Sequence, residues 1–125
     1  MSPVVWVMIG LVVVIVLVKL KAAWRSPEAL AAARAALGRG GRLVDVRSPG
    51  EFAAHHAPGA INVPVGDITA GRTKALGPKD EPLVLYCASG ARSAVAAGAL
   101  RRSGYVEIHD VGPFRNATQV TSAGG

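Results

Sequence analysis

Apolar and polar residues fall into blocks along this chain, and the first block is the most extreme. From Pro3 to Val18, PVVWVMIGLVVVIVLV, no side chain is charged, and all but Pro3, Trp6 and Gly10 are aliphatic or methionine. Apolarity all round a helix suits lipid better than a half-solvated surface. A span needs about 20 residues, or about 17 at the short end. Lys19 and Lys21 are therefore expected to snorkel around Leu20 and complete a transmembrane helix over residues 3–20. A cleaved signal peptide competes with this, but only Met1 and Ser2 precede the run, and Ala22-Ala23 before Trp24 is a poor cleavage site.

The remaining blocks alternate between helical and strand patterns. Ser26-Pro27-Glu28 reads as an N-cap, a proline at the first helical position and an acid in the first turn, opening a helix over Ala29–Leu37 that stops at Gly38. Leu43–Val46 reads as a short buried strand. Ser48-Pro49 starts a turn into a helical stretch at Glu51–His56, which Pro58-Gly59 breaks. Ala60–Val63 is a second strand, and residues 66–76 are weakly helical. Leu83–Tyr86 is the clearest strand, Arg92–Arg102 a helix stopped by Gly104, and Val106–Val111 a last strand. The polar stretch from Asn116 to Gly125 predicts a flexible tail.

Strands alternating with helices predict an α/β fold, a small parallel sheet flanked by helices, preceded by the membrane helix. At 125 residues there is room for one such domain. The expected division is an anchor with its basic flank over 1–21, a domain over 22–115 and the tail over 116–125.

Charge sharpens the picture once it is divided by segment. Residues 1–42 carry Lys19, Lys21, Arg25, Arg34, Arg39 and Arg42 against Glu28 alone, whereas residues 43–125 carry eight basic and seven acidic side chains. The net charge of +6 is thus concentrated beside the apolar run and the domain is nearly neutral. By the positive-inside rule the domain is expected in the cytoplasm, or in the periplasm if the segment is a cleaved signal. Nucleic acid is not expected as a partner, since a binder would carry its charge on the domain, interleaved with aromatics, and the chain has six aromatics in all.

One cysteine excludes an intrachain disulfide and a cysteine-rich zinc site. Cys87 follows the clearest strand and precedes Ala88, Ser89, Gly90 and Ala91, all short, before Arg92 and Ser93 open a helix. In an α/β sheet, functional loops lie beyond the carboxyl ends of strands. Short side chains let backbone N–H groups curl around the sulfur and form an anion-holding nest at a helix N-terminus. These donors, the helix dipole and Arg92 predict a reactive thiolate that holds a small oxyanion in the same cradle. A cysteine phosphatase loop places five residues between cysteine and arginine. Here four intervene, and no nearby Asp offers a general acid.

Three segments resemble the single-domain rhodanese family. Asp45-Val46-Arg47 with Glu51-Phe52 is similar to its strand-end motif. His56-Ala57-Pro58-Gly59-Ala60-Ile61-Asn62-Val63-Pro64 resembles its second motif, and Tyr86–Ser93 its active loop. Gly112-Pro113-Phe114 departs from the family's commoner Gly-Gly and tryptophan ending. The resemblance covers nearly all of residues 27–115. It implies a sulfurtransferase in which Cys87 takes a sulfane sulfur from thiosulfate or a similar small anionic donor. The resulting persulfide is discharged to a thiol or cyanide, without a metal or organic cofactor. Ala88, Ser89, Gly90, Ala91, Arg92 and Arg47 would then bind the donor, with Asp45 and Ser93 supporting the loop. A persulfide carrier or docking module is the alternative, and a cysteine phosphatase or arsenate reductase a more distant one.

Several residues have plainer readings. Arg47 and Glu51 can form a structural i,i+4 ion pair, and His56 is expected to hydrogen-bond backbone at the Pro-Gly turn. Neighbouring His55 and His56 do not share a helix face, so no metal pair is expected.

Overall fold

Four parallel strands carry the domain: β1 (Arg42–Asp45), β2 (Ile61–Asn62), β3 (Leu83–Tyr86) and β4 (Ile108–Gly112), in the order β2-β1-β3-β4. The computed structural model describes residues 2–23 and 26–122, with backbone alone for 19–23. The helices are α1 (Pro3–Ala23), α2 (Pro27–Gly38), α3 (Pro49–Ala54), α4 (Val65–Thr69), α5 (Ala91–Arg102) and α6 (Phe114–Ser122), with a 3-10 turn at Lys74–Leu76.

Local chemistry explains the helix starts. Ser26 Oγ accepts from Ala29 N at the head of α2, with Pro27 at the first helical position. Ser48 and Glu51 form a reciprocal capping box on α3, again with proline at the start. That box starts α3 two residues earlier than the helical stretch expected from Glu51.

Register sets the two faces of the sheet. Val44 and Asp45 pair with Ile61 and Asn62 on one side and with Leu85 and Tyr86 on the other. Because strand side chains alternate, Val44, Val46, Leu83, Leu85 and Cys87 share one core with α4 and α5. Leu43, Val84, Tyr86 and Val111 share the opposite core with α2 and α6. Each face is covered by helices, and β3, buried at all four positions, lies at the centre. The chain therefore has the expected α/β fold, a small parallel sheet flanked by helices.

Two expectations change here. Phe114–Ser122 is helical, where polar composition predicts a flexible tail from Asn116. Ala117 and Val120 lie on one face of α6 and are buried against α2, with Phe114 packed beside them. Three apolar contacts among polar residues suffice to dock it, and residues 123–125 of the expected tail lie outside the described residues.

The transmembrane helix expected over residues 3–20 is not supported. Among the described residues, no helix is long and apolar enough to cross a membrane. The sixteen uncharged residues from Pro3 to Val18 rise about 24 Å in a helix, against a hydrocarbon core of about 30 Å. The snorkelling expected of Lys19 and Lys21 lies outside the described side chains. What α1 does present is a run of apolar side chains from Val4 to Val18, all exposed.

Candidate active site

The central strand β3 ends at Tyr86 and delivers Cys87 just past the carboxyl edge of the sheet. Its backbone is held there by a hydrogen bond from Cys87 N to Gly112 O at 2.9 Å. The loop then turns at Gly90, whose φ of 109° is a left-handed conformation that favours glycine. This turn points Gly90 N–H at Cys87 Sγ, 2.9 Å away. Below the sulfur, Sγ–H donates to Ser93 Oγ at 3.6 Å, and Ser93 Oγ donates to Gly90 O at 3.1 Å. Phe114 N donates to Ala88 O, and Ser89 bridges to Pro113, so the connection from β4 to α6 braces the loop.

The sulfur is thus cradled at the N-terminus of α5, where helix dipole and backbone donors favour negative charge. Ala88, Ser89 and Ala91 form the exposed rim, and Ser93 is buried beneath. Cys87 itself is fully buried, although the sequence predicts a reactive thiolate that meets a small oxyanion. The loop that provides the donor also roofs the sulfur.

Arg92 and Arg47 occupy different situations. Arg92 sits in the first turn of α5 and reaches across to α3, where Nη1 and Nη2 donate to the two oxygens of Glu51 at 2.7 and 3.0 Å. Hydrogen bonds from Arg92 and Ser48 pull the Glu51 carboxyl from 4.5 down to about 2. Arg47 is buried at the end of β1 and locked onto Asp45, with Nε 3.0 Å from both Oδ1 and Oδ2 and Nη2 2.7 Å from Oδ2. Its other contacts are a donation from Nη2 to His55 O at 2.7 Å and the faces of Phe114 and Tyr86 at 4.8 and 5.8 Å. The expected Arg47–Glu51 pair does not form, because Arg47 precedes α3 and the i,i+4 rule holds only within a helix.

Asp45 gathers this inner network. It accepts from Arg47 N and side chain and from Tyr86 OH at 2.7 Å, while Tyr86 OH accepts from Ala57 N at 3.0 Å. Asn62 Nδ2 donates to Asp45 O and Arg47 O, both at 3.0 Å. All three resembling segments thereby meet under the loop. Tyr86, Asn62 and Glu51 belong to those segments, yet sequence reasoning assigns them no part in the site. The Ser48-x-x-Glu51 spacing of a capping box is the available signal for Glu51. His56 Nδ1 meets Phe52 O at 2.8 Å and its ring stacks on Phe52, whereas the ring of His55 packs edge-on against Phe114.

Other features lie apart from the sulfur. Among the described residues no group of three or more His, Cys, Asp or Glu could hold a metal ion. A cavity of about 520 Å³ between α2, α6 and the start of β1 shares no residue with the Cys87 loop.

Comparison with known proteins agrees with this geometry. The uncharacterized protein YqhL of Bacillus subtilis is 37% identical over 73 residues, which are 58% of this chain and 56% of that protein. The thiosulfate sulfurtransferase PspE of Escherichia coli is 29% identical over 58% of this chain and 70% of its own length. The human single-domain sulfurtransferase TSTD1 superposes with a TM-score of 0.58 at 30% identity, covering 69% of this chain and 88% of that one. The chain thus spans little more than half the length of the Bacillus relative. The family profile for the rhodanese-like domain matches residues 26–112, the segment from the cap of α2 to the end of β4, and the chain belongs to the rhodanese-like domain family.

Proposed function

We propose that this protein is a sulfurtransferase that moves a sulfane sulfur from thiosulfate or a similar anionic donor to a thiol or cyanide through a Cys87 persulfide. The observation that carries the reading is the 2.9 Å contact from Gly90 N–H to Cys87 Sγ at the head of α5. Sulfurtransferases among its relatives support the same chemistry at the level of the family.

In the first step a lone pair of the Cys87 thiolate attacks the outer sulfur of the donor. The donor S–S bond breaks and sulfite leaves with the electron pair. The persulfide then occupies the cradle, where Gly90 N–H and the α5 dipole stabilise its negative charge. In the second step an acceptor lone pair takes the outer sulfur and Cys87 leaves as thiolate. Electrons balance without any external oxidant, and no cofactor is required. The loop is a residue shorter than a phosphatase cradle, a ring better matched to one bound sulfur than to a phosphoryl group. The donor reaches the sulfur past the short side chains of Ala88, Ser89 and Ala91, the exposed rim of the loop that roofs it. Arg92 meets a donor anion when it leaves Glu51.

The test is intact mass after incubation with thiosulfate. A gain of about 32 Da, one sulfur, reversed by cyanide and absent in Cys87→Ala, is expected. No gain with thiosulfate or 3-mercaptopyruvate would refute the reading in favour of a docking module.

The exposed apolar side chains of α1 support a further element of the proposal, that this helix tethers the domain to a bilayer. The basic residues beside it, Lys19, Lys21 and Arg25, favour an anionic membrane surface. Flotation with anionic vesicles should carry the protein upward and fail for Val12→Asp/Ile15→Asp. Equal flotation of both would count against the tether.

A further inference from the structure

The two guanidinium groups beside the Cys87 loop are each already matched by a carboxylate. Arg47 is buried against Asp45 and cannot turn toward a ligand without stranding a buried charge. Arg92, the cation best placed to meet a donor, is gripped through both terminal nitrogens by Glu51. An exposed ion pair usually contributes little, because two mobile side chains must be ordered to form it. Here Glu51 is ordered in advance: Ser48 N and Ser48 Oγ donate to its Oε1 at 3.2 and 3.0 Å as part of the α3 cap. Its carboxyl, lowered to about 2 by Arg92 and Ser48, is ionised at neutral pH.

A free dianion such as thiosulfate must therefore either displace Glu51 from Arg92 or take the remaining N–H donors of that guanidinium, and in both cases it sits beside the carboxylate. A donor that carries its sulfane sulfur on an organic thiol faces less repulsion and does not need Arg92. Resting on the sulfur-transfer reading, we infer that Glu51 is a specificity-determining residue that withholds Arg92 from dianionic donors and directs the site toward organic persulfides, R–S–SH. The step balances: the Cys87 thiolate attacks the outer sulfur and the inner S–S bond breaks. R–S⁻ leaves with the electron pair, and the outer sulfur keeps its proton as Cys87–S–SH.

Glu51→Gln in the full chain tests this, because glutamine preserves a capping box while removing the charge. The measurement is kcat/KM for thiosulfate and for cysteine persulfide with the same acceptor. The thiosulfate-to-persulfide ratio should rise at least about tenfold, through a lower KM for thiosulfate, since hydrogen bonds to a charged group would become available to the dianion. The rise should vanish in Glu51→Gln/Arg92→Gln, which ties it to the released guanidinium. An unchanged or lower ratio, or a rise that survives loss of Arg92, overturns the inference. Sulfur loaded on Cys87 with an unchanged ratio overturns this inference alone. No sulfur loaded from either donor, by intact mass, overturns the sulfur-transfer reading and this one with it.

Discussion

The hydroxyl of Tyr86 donates to Asp45 Oδ2 at 2.7 Å, joining the residue before the nucleophile to a carboxylate 41 positions earlier in the chain. The same oxygen accepts from Ala57 N, so one phenol ties the end of β3 to the end of β1 and to the connection before β2. Tyr86→Phe leaves Ala57 N–H without its acceptor in a buried site. It should cost about 1–3 kcal/mol in denaturant unfolding, the penalty for an unsatisfied buried group. A midpoint equal to that of the parent would show that water or backbone replaces the bond.

Tyr86 also sets an alkaline limit. Burial, followed by the hydrogen bond and charge of Asp45, raises its phenol from 10.0 to about 12. A raised folded-state value means that the native form holds the proton more tightly. The stability this supplies is complete below pH 10 and drains away as pH rises to about 12. Phenolate absorbance should show one of the two tyrosines titrating late, and Tyr86→Phe should remove that phase and flatten the alkaline loss of stability.

The Asp45–Arg47 pair gives a sharper prediction. Both side chains are buried, so Asp45→Ala leaves a guanidinium without its counter-ion and should cost about 3–5 kcal/mol. Asp45→Leu/Arg47→Met removes both charges and should recover most of that loss, because an apolar pair of similar volume avoids the desolvation penalty. If the double variant is no more stable than the single one, the pair matters for its shape and not for charge compensation.

Much of this arrangement is legible in the amino-acid sequence. Leu83–Tyr86 announces a buried central strand because four apolar residues end in a cysteine followed only by short side chains. Ser26-Pro27 and Ser48-Pro49 mark helix starts because a hydroxyl acceptor and a fixed φ are what a first turn requires. What the sequence hides are partners chosen by tertiary packing. Glu51 lies four residues from Arg47 but 41 from Arg92, and only the fold brings α3 and α5 together. Helix α6 is hidden because its buried residues are few and set among polar ones. The apolar run before Lys19 has the composition of a span, but its length falls short of one.

Gly90 tests whether the cradle depends on backbone geometry. No atom crowds its absent side chain, with the nearest neighbours at 3.7 and 4.0 Å, but its φ of 109° lies where residues with a Cβ are strained. Gly90→Ala should therefore cost about 1–2 kcal/mol of strain. The larger effect should be on chemistry, because relaxing φ turns the N–H away from Sγ. Persulfide formation should slow at least about tenfold, as when a positioned anion donor is lost. A variant that is destabilised yet loads sulfur at the parent rate would separate the donor from the reaction.

Glu51 and Glu107 define the acid side together. Arg92 and Ser48 lower the first carboxyl from 4.5 to about 2, and Arg39 with His109 lowers the second to the same value. A depressed folded-state value means that stability is present above pH 4.5 and is lost as pH falls toward about 2, where the native carboxylates finally protonate. Both groups are half-exposed, so salt should weaken the effect. Unfolding midpoints measured across this window should fall less steeply in Glu51→Gln and in Glu107→Gln, and least in the double variant. The two sites lie on different elements, α3 and the approach to β4, and share no partner, so their effects should add. Persulfide loading separates them further: Glu107→Gln should leave it untouched, whereas Glu51→Gln should alter it through Arg92. If both variants changed sulfur loading alike, the acid response would belong to the whole fold and not to the clamp at the Cys87 loop.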